Sequence, residues 1–218
     1  MSDSPAAGVR IEEHARHLRL VVDRPPVNAF TVPMYDLLTE LIGAHCDDPR
    51  PLLVLGANDI FSAGFDMGDV AGSSGEPEVG PELETVTRAA VRCLAAVESH
   101  PAPVVAAVER AAVGFGLLLA AVADVLVLSE AARIGMPEVR HGMVSEPGPL
   151  RRHLPPAWVR RICLGGELHR VADMSLAGSG IIHCGRGEAV KTATALVEVM
   201  GSADAADAAR IKQRLQLL

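Results

Sequence analysis

VVAAVERAAVGFGLLLAAVADVLVLSEAARIGMPEVRHGMVSEPG, from Val104 to Gly148, is the stretch whose reading decides the fold. The runs PVVAAV and DVLVL are short, apolar and rich in β-branched residues, as strands buried on both faces are. Between them Gly114-Phe115-Gly116 forms a turn that opens an apolar helix. Strand, turn, helix and strand in that order place the chain in the α/β class. Upstream, PLLVLGA after Pro51 repeats the buried-strand pattern, so a parallel sheet with helical crossovers is expected.

Outward from this block, VRIEEHARHLRLVVD (Val9–Asp23) reads as two strands around a turn, a starting hairpin. Met34, Leu37, Leu38, Leu41 and Ile42 recur at three- and four-residue steps and predict a helix, with Thr31 as its cap and Pro33 in its first turn. GSSGEPEVGP (Gly72–Pro81) is the most loop-like segment and is expected to act as a lid. A helix over about 82–99 precedes the central block. Beyond Pro147 the pattern predicts helices over 155–164 and 171–177, a strand-like IIHCG run, and an amphipathic helix over about 187–200 before an Ala/Asp-rich tail.

At 218 residues the chain suits a single core. Hydrophobic residues make up 49%, which points to a large interior or to surface covered by other subunits; we favour the latter. A net charge of −7 with scattered basic residues argues against a nucleic-acid partner, since phosphate binding needs clustered cations. The longest apolar stretch, Ala111–Leu128, contains Asp124 and two glycines and reads as buried helix plus strand, not a membrane span. Cys46, Cys93, Cys163 and Cys184 lie far apart and read as buried reduced thiols, with no metal-ligand spacing. The polar start MSDSPAAG has no signal-peptide character, so a cytoplasmic location is expected.

Two turns carry chemistry. Phe61-Ser62-Ala63-Gly64-Phe65-Asp66 follows a predicted strand, where ligands of parallel sheets bind. Gly114-Phe115-Gly116 stands at a helix start, where unpaired N–H groups favour negative charge; Leu119 replaces the third glycine of a dinucleotide fingerprint, so that reading is poor. Together, in order and spacing, IFSAGFDMGDV and the Val104–Gly148 block resemble the enoyl-CoA hydratase/isomerase (crotonase) superfamily. The resemblance implies a crotonase-like fold of repeated ββα units over residues 1–150. A shortened helical carboxyl region, 151–218, would mediate homotrimer or hexamer assembly. It also implies acyl-CoA or another acyl thioester as substrate, a place in fatty-acid metabolism, and no further cofactor.

By the same resemblance the backbone N–H groups of Phe65 and Phe115 form an oxyanion hole, with Val27, Ala63, Asp66, Gly114 and Leu118 around the substrate. Two preorganised donors suit a thioester enolate, and losing one such donor commonly costs about 10²–10³ in rate. The bulk of Phe115 is expected to reshape the acyl pocket. Hydratases of the superfamily carry one glutamate where Leu118 stands and a second matching Glu138. Leucine neither activates water nor protonates carbon, so hydration is disfavoured. Isomerases often carry an acid four residues after the next glycine, and Gly142 leads to Glu146. Glu146 is the preferred base for moving a double bond from the 3,4 to the 2,3 position, with Glu138 as rival. Apolar neighbours Leu117, Leu118 and Val144 are expected to desolvate such a carboxyl and raise its pKa.

The chain also departs from its resemblance. Relatives commonly have Asn-Gly where Glu109-Arg110 stands, paired glycines where Gly148-Pro149 stands, and a lysine after the turn where Met67 stands. Three alternatives therefore stay open: a non-catalytic acyl-thioester binder, a hydratase or other lyase working with Glu138, and a carrier other than coenzyme A. His141 and His153 read as ordinary surface or core histidines, and Ser62 and Ser145 lack the context of a nucleophile.

Overall fold

Valine and leucine runs with no polar position, such as Val104–Val108, are stable only where strands flank both edges and helices or a second sheet cover both faces. In a computed structural model that describes residues 8–70, 81–144 and 146–215, all five residues of this run are buried and form the middle of a six-stranded sheet. In chain order the elements are β1 (Val9–Glu13), β2 (Leu18–Val22), α1 (Val32–Ala44), β3 (Leu52–Gly56), β4 (Ile60–Ser62), α2 (Met67–Val70) and α3 (Pro81–Glu98). β5 (Val104–Val108), β6 (Ala111–Val113), α4 (Phe115–Ala121), β7 (Val125–Ser129), β8 (Arg133–Gly135), α5 (Pro156–Gly165) and β9 (His169–Arg170) follow. β10 (Ile182–Cys184), α6 (Ala189–Met200) and α7 (Ala205–Leu215) complete them.

The large sheet has the order β1-β2-β3-β5-β7-β10 and is parallel except for the β1–β2 hairpin. A second sheet, β4-β6-β8-β9, is parallel except for its β8–β9 edge. β3 and β4, β5 and β6, and β7 and β8 each send one strand to each sheet before the chain turns helical, which is the repeated ββα pattern. One face of the large sheet packs into the main core. The other places Leu53, Val105, Ala107 and Val127 against Ala189, Ala193 and Val197, spaced four apart on one side of α6.

The amino end of α6 is held from a distance. Glu109, buried just past β5, accepts hydrogen bonds from the N–H groups of Gly187 (2.6 Å), just ahead of the N-cap, and of Ala189 (3.0 Å), a first-turn donor that the helix itself leaves unpaired. The Glu109-Arg110 departure therefore has a structural use. Helix α1 is capped in the same way. Thr31 occupies the N-cap position without a side-chain bond, and Asp69 of α2 accepts the Val32 N–H (3.0 Å) instead, so the expected Thr31 cap is corrected.

Three further expectations change. The predicted helix over 171–177 is one 3-10 turn, Val171–Asp173, closed by the Met174 N–H on the Val171 carbonyl and tied to the approach to β8 by Val171 and Ala172 N–H bonds to the Ala132 and Glu130 carbonyls. The tail folds as α7: the Asp204 side chain accepts the Asp207 N–H (3.0 Å), and buried Lys212 reaches Asp124 (2.9 Å) and the Ala102 carbonyl (3.1 Å). Of the cysteines only Cys93 is buried; Cys46 is exposed, and all four are free thiols. The expected lid falls, except for its last residue, outside the described residues, as does Ser145. Among the described residues no helix is long and apolar enough to cross a membrane, and no cluster of three or more His, Cys, Asp or Glu is placed to hold a metal.

Candidate active site

The first turn is fixed by backbone pairing. The Ser62 hydroxyl donates to the Asn28 carbonyl (2.8 Å) and accepts the Gly64 N–H (3.0 Å). The Ala63 N–H meets the Val27 carbonyl (2.9 Å). Phe30 forms a parallel bridge with Phe65: its N–H donates to the Gly64 carbonyl and its carbonyl accepts the Asp66 N–H, both at 2.8 Å. Those bonds use the residues on either side of Phe65. Backbone groups alternate along an extended segment, so the N–H of Phe65 itself points the other way.

The second turn ends β6. Gly114 has φ +55°, its N–H is bound to the Gly135 carbonyl (2.9 Å), and its carbonyl receives the Leu117 and Leu118 N–H groups (2.9 and 3.1 Å). Phe115 is the first residue of α4, so its N–H has no partner within the helix. Neither the Phe65 nor the Phe115 N–H donates to a hydrogen-bond acceptor among the described residues. The turns also touch. Gly64 has φ +97°, and a Cβ there would stand 2.9 Å from the Val113 carbonyl oxygen and 3.4 Å from the Phe115 nitrogen.

Aromatic side chains tie the turns together. The Phe65 and Phe115 rings lie 6.0 Å apart, Phe115 meets Tyr35 edge-on at 4.7 Å and Phe30 at 4.8 Å, and Phe30 stacks on Tyr35 at 5.2 Å. Such pairs each add about 0.5–1.5 kcal/mol beyond their buried area. The Phe115 ring is buried in this cluster and touches the cleft only as part of its wall, which limits the expected reshaping of the acyl pocket. Burial also pushes the Tyr35 phenol above its ordinary range.

The two acids stand in different surroundings. Glu138 lies in a 3-10 turn (Pro137–His141) just past β8 and is only 6% exposed. Its carboxylate rests on the Gly114 Cα so closely that a Cβ at position 114 would collide with Oε1. Glu146 is exposed, and its Oε1 accepts the Gly148 N–H (2.9 Å). Leu117 is wholly inside the core and does not reach the cleft; Leu118 and Val144 both line it, but Val144 is 98% exposed and so does not enclose Glu146.

That cleft has a volume of about 530 Å³ and runs between α3, α4 and the 136–149 segment. Leu83, Leu94, Leu118, Val122 and Met136 make much of its wall, and both Glu138 and Glu146 line it. A smaller adjoining cleft of about 200 Å³ is lined by Ala63, Gly64, Gly114, Glu138 and His141. Phe65, Glu138 and Met143 line both, so Glu138 stands where the two meet. Burial first, then the Glu138 and Glu146 charges, raise the nearby Cys163 thiol.

Of the expected substrate-side residues, Ala63, Gly114 and Leu118 line these clefts. Val27 and Asp66 do not. Val27 contributes its backbone carbonyl, and the Asp66 carboxylate is engaged by Arg24 (2.7 Å) and the Gly68 N–H (2.9 Å) at the start of α2. Asn28 went unnoticed in the sequence: buried at φ +54°, it accepts the Arg24 N–H and donates to the Ala57 and Ile60 carbonyls, bracing the first turn. An asparagine just before the apolar start of α1, followed by no turn it could close locally, was the only available signal. His153 is a satisfied core histidine: its ring nitrogen meets the Ala121 and Ala123 carbonyls at the end of α4, and burial lowers its pKa.

Comparison with known proteins bears on the same region. A family model described as enoyl-CoA hydratase/isomerase matches residues 15–216. A probable enoyl-CoA hydratase of Mycobacterium avium is 35% identical over 134 residues, 57% of this chain and 48% of the relative. One of Rhodobacter capsulatus is 34% identical over 131 residues, 59% of this chain and 49% of the relative. The chain spans about half the length of the curated relatives it matches. Among solved structures, DspI of Pseudomonas aeruginosa superimposes with a TM-score of 0.88 at 22% identity, over 99% of this chain and 88% of that one. A putative enoyl-CoA hydratase of Streptomyces coelicolor gives 0.85 at 24%, over 99% and 81%. These structures share the fold.

Proposed function

The chain belongs to the enoyl-CoA hydratase/isomerase family, and from that premise we propose that it moves a double bond in an acyl thioester from the 3,4 to the 2,3 position, with Glu138 as the base. The thioester oxygen accepts the Phe65 and Phe115 N–H groups, and the Glu138 carboxylate takes a proton from C2. Charge then spreads from C2 to the oxygen, where two fixed donors stabilise it more than they stabilise the neutral ground state. Return of the proton at C4 completes the shift with no water, metal or further cofactor consumed. The observation that carries this reading is the seat of Glu138: buried, against Gly114, one residue from the Phe115 amide, and at the junction of the clefts. Leu118 offers only carbon on the same cleft, so no acid stands there to direct water.

Glu146 is then a rim group, exposed and held by Gly148. One observation favours a second reading: both carboxylates line one cleft, which would allow hydration with Glu146 in the place of the missing acid. Incubation with 3-enoyl-CoA and, separately, 2-enoyl-CoA separates the two by absorbance of the conjugated thioester. Isomerisation raises the signal from the first and leaves the second unchanged; loss of signal from the second establishes hydration instead. Glu138→Gln is expected to lower isomerisation by about 10²–10⁴, the usual worth of a general base, while Glu146→Gln stays within about tenfold of the parent. The opposite ranking moves the base to Glu146. For the assembly we hold to a homotrimer or hexamer, supported by outward apolar residues on the carboxyl-terminal elements: Leu164, Val199 and Ile211.

A further inference from the structure

A second pocket, of about 510 Å³, lies at the other end of the four-stranded sheet and shares no lining residue with the two clefts. β6 is three residues long, so this pocket is separated from the Gly114 turn by roughly 10 Å of strand. Four arginines line it: Arg110, Arg133, Arg170 and Arg186. Three of them are set side by side by the backbone. Arg133 is the register partner of Arg170 across the β8–β9 pair, and the Arg133 N–H donates to the Arg110 carbonyl (2.6 Å). Like charges directly opposite on paired strands destabilise a sheet.

No ion pair among the described residues offsets them: none of the four appears within 4 Å of a carboxylate, although eight other arginines do. The pocket's own acids are Asp59 and Glu109, and the Glu109 oxygens are both taken by the Gly187 and Ala189 N–H groups. Four cations against two carboxylates leave two positive charges in excess, in a chain whose net charge is −7. Guanidinium forks match phosphate oxygens in geometry, and four of them outnumber what a single carboxylate can accept.

We propose that this pocket binds a diphosphate-bearing small molecule, with Arg110, Arg133, Arg170 and Arg186 closing on its phosphate oxygens. The volume admits a ligand of nucleotide size, so free diphosphate and a nucleoside diphosphate are the two sources of that chemistry. Titration calorimetry at fixed ionic strength with inorganic pyrophosphate, with ADP, and with sodium chloride as control tests it. Pyrophosphate or ADP is expected to bind and chloride to give no heat; equal affinities identify the diphosphate alone as the ligand, and tighter ADP binding identifies a nucleotide. Arg133→Gln and, separately, Arg110→Gln should each weaken binding by about tenfold or more, and Glu138→Gln should leave it intact, which separates this site from the acyl cleft. Without ligand, Arg133→Gln should melt no lower than the parent, because it relieves repulsion. Absence of binding by both diphosphates, unchanged affinity in both arginine variants, or destabilisation of ligand-free Arg133→Gln overturns the assignment.

Discussion

Gly114 is the residue on which the site turns. Its φ of +55° is costly for any side chain, and its missing Cβ is the space that the Glu138 carboxylate occupies. Gly114→Ala is therefore expected to keep the fold, at a cost of about 1–3 kcal/mol, while displacing both the Phe115 amide and Glu138. Turnover should fall by about 10² or more, read as kcat/KM beside the melting temperature; a variant that melts lower yet works normally would contradict the coupling. The two glycine turns and both glutamates were legible in the sequence, because backbone donors and acids have few ways to be written. Which glutamate is buried was not. Burial of Glu138 comes from the approach of β8 to β6, and exposure of Glu146 from its place before Pro147 at the cleft rim, both products of packing between distant segments.

Elements with a strong repeating pattern were the readable ones. β5 has five buried residues in a row, and α1 buries Met34, Tyr35, Leu38 and Ile42 on one side. The strands of the second sheet are two or three residues long, too short to show any period; β4, β6 and β8 each continue a strand of the first sheet across a turn, and β9 adds to the edge of β8 after α5. Helix α7 was hidden for another reason: its one buried residue is Lys212, so no apolar stripe marks it. Caps drawn from far along the chain are equally unreadable, and Glu109 is the clearest case. Glu109→Ala strips two N–H groups at the start of α6 of their acceptors and should lower stability by about 1–3 kcal/mol. Chemical denaturation measures this, and an unchanged midpoint would mean that water replaces the carboxylate at no cost.

At the scale of the whole molecule, the α/β class and the parallel sheet follow from buried strands that alternate with helices, whereas the repeated ββα architecture was implied by the family resemblance alone. Residues 151–218 do more than add helices: β9 joins one sheet and β10 the other. A single chain leaves Leu164, Val199 and Ile211 open to solvent, and the proposed homotrimer or hexamer would cover apolar surface of this kind. Sedimentation equilibrium should accordingly give a mass three or six times that of one 22.9 kDa chain, and a monomer at micromolar concentration would contradict the assembly. The central claim is chemical and concerns one oxygen atom. A crystal structure with a saturated acyl-CoA bound should place the thioester oxygen about 3 Å from both the Phe65 and Phe115 nitrogens, with Glu138 the carboxylate nearest C2. A thioester oxygen that meets only one of those amides, or a C2 that faces Glu146, would contradict it.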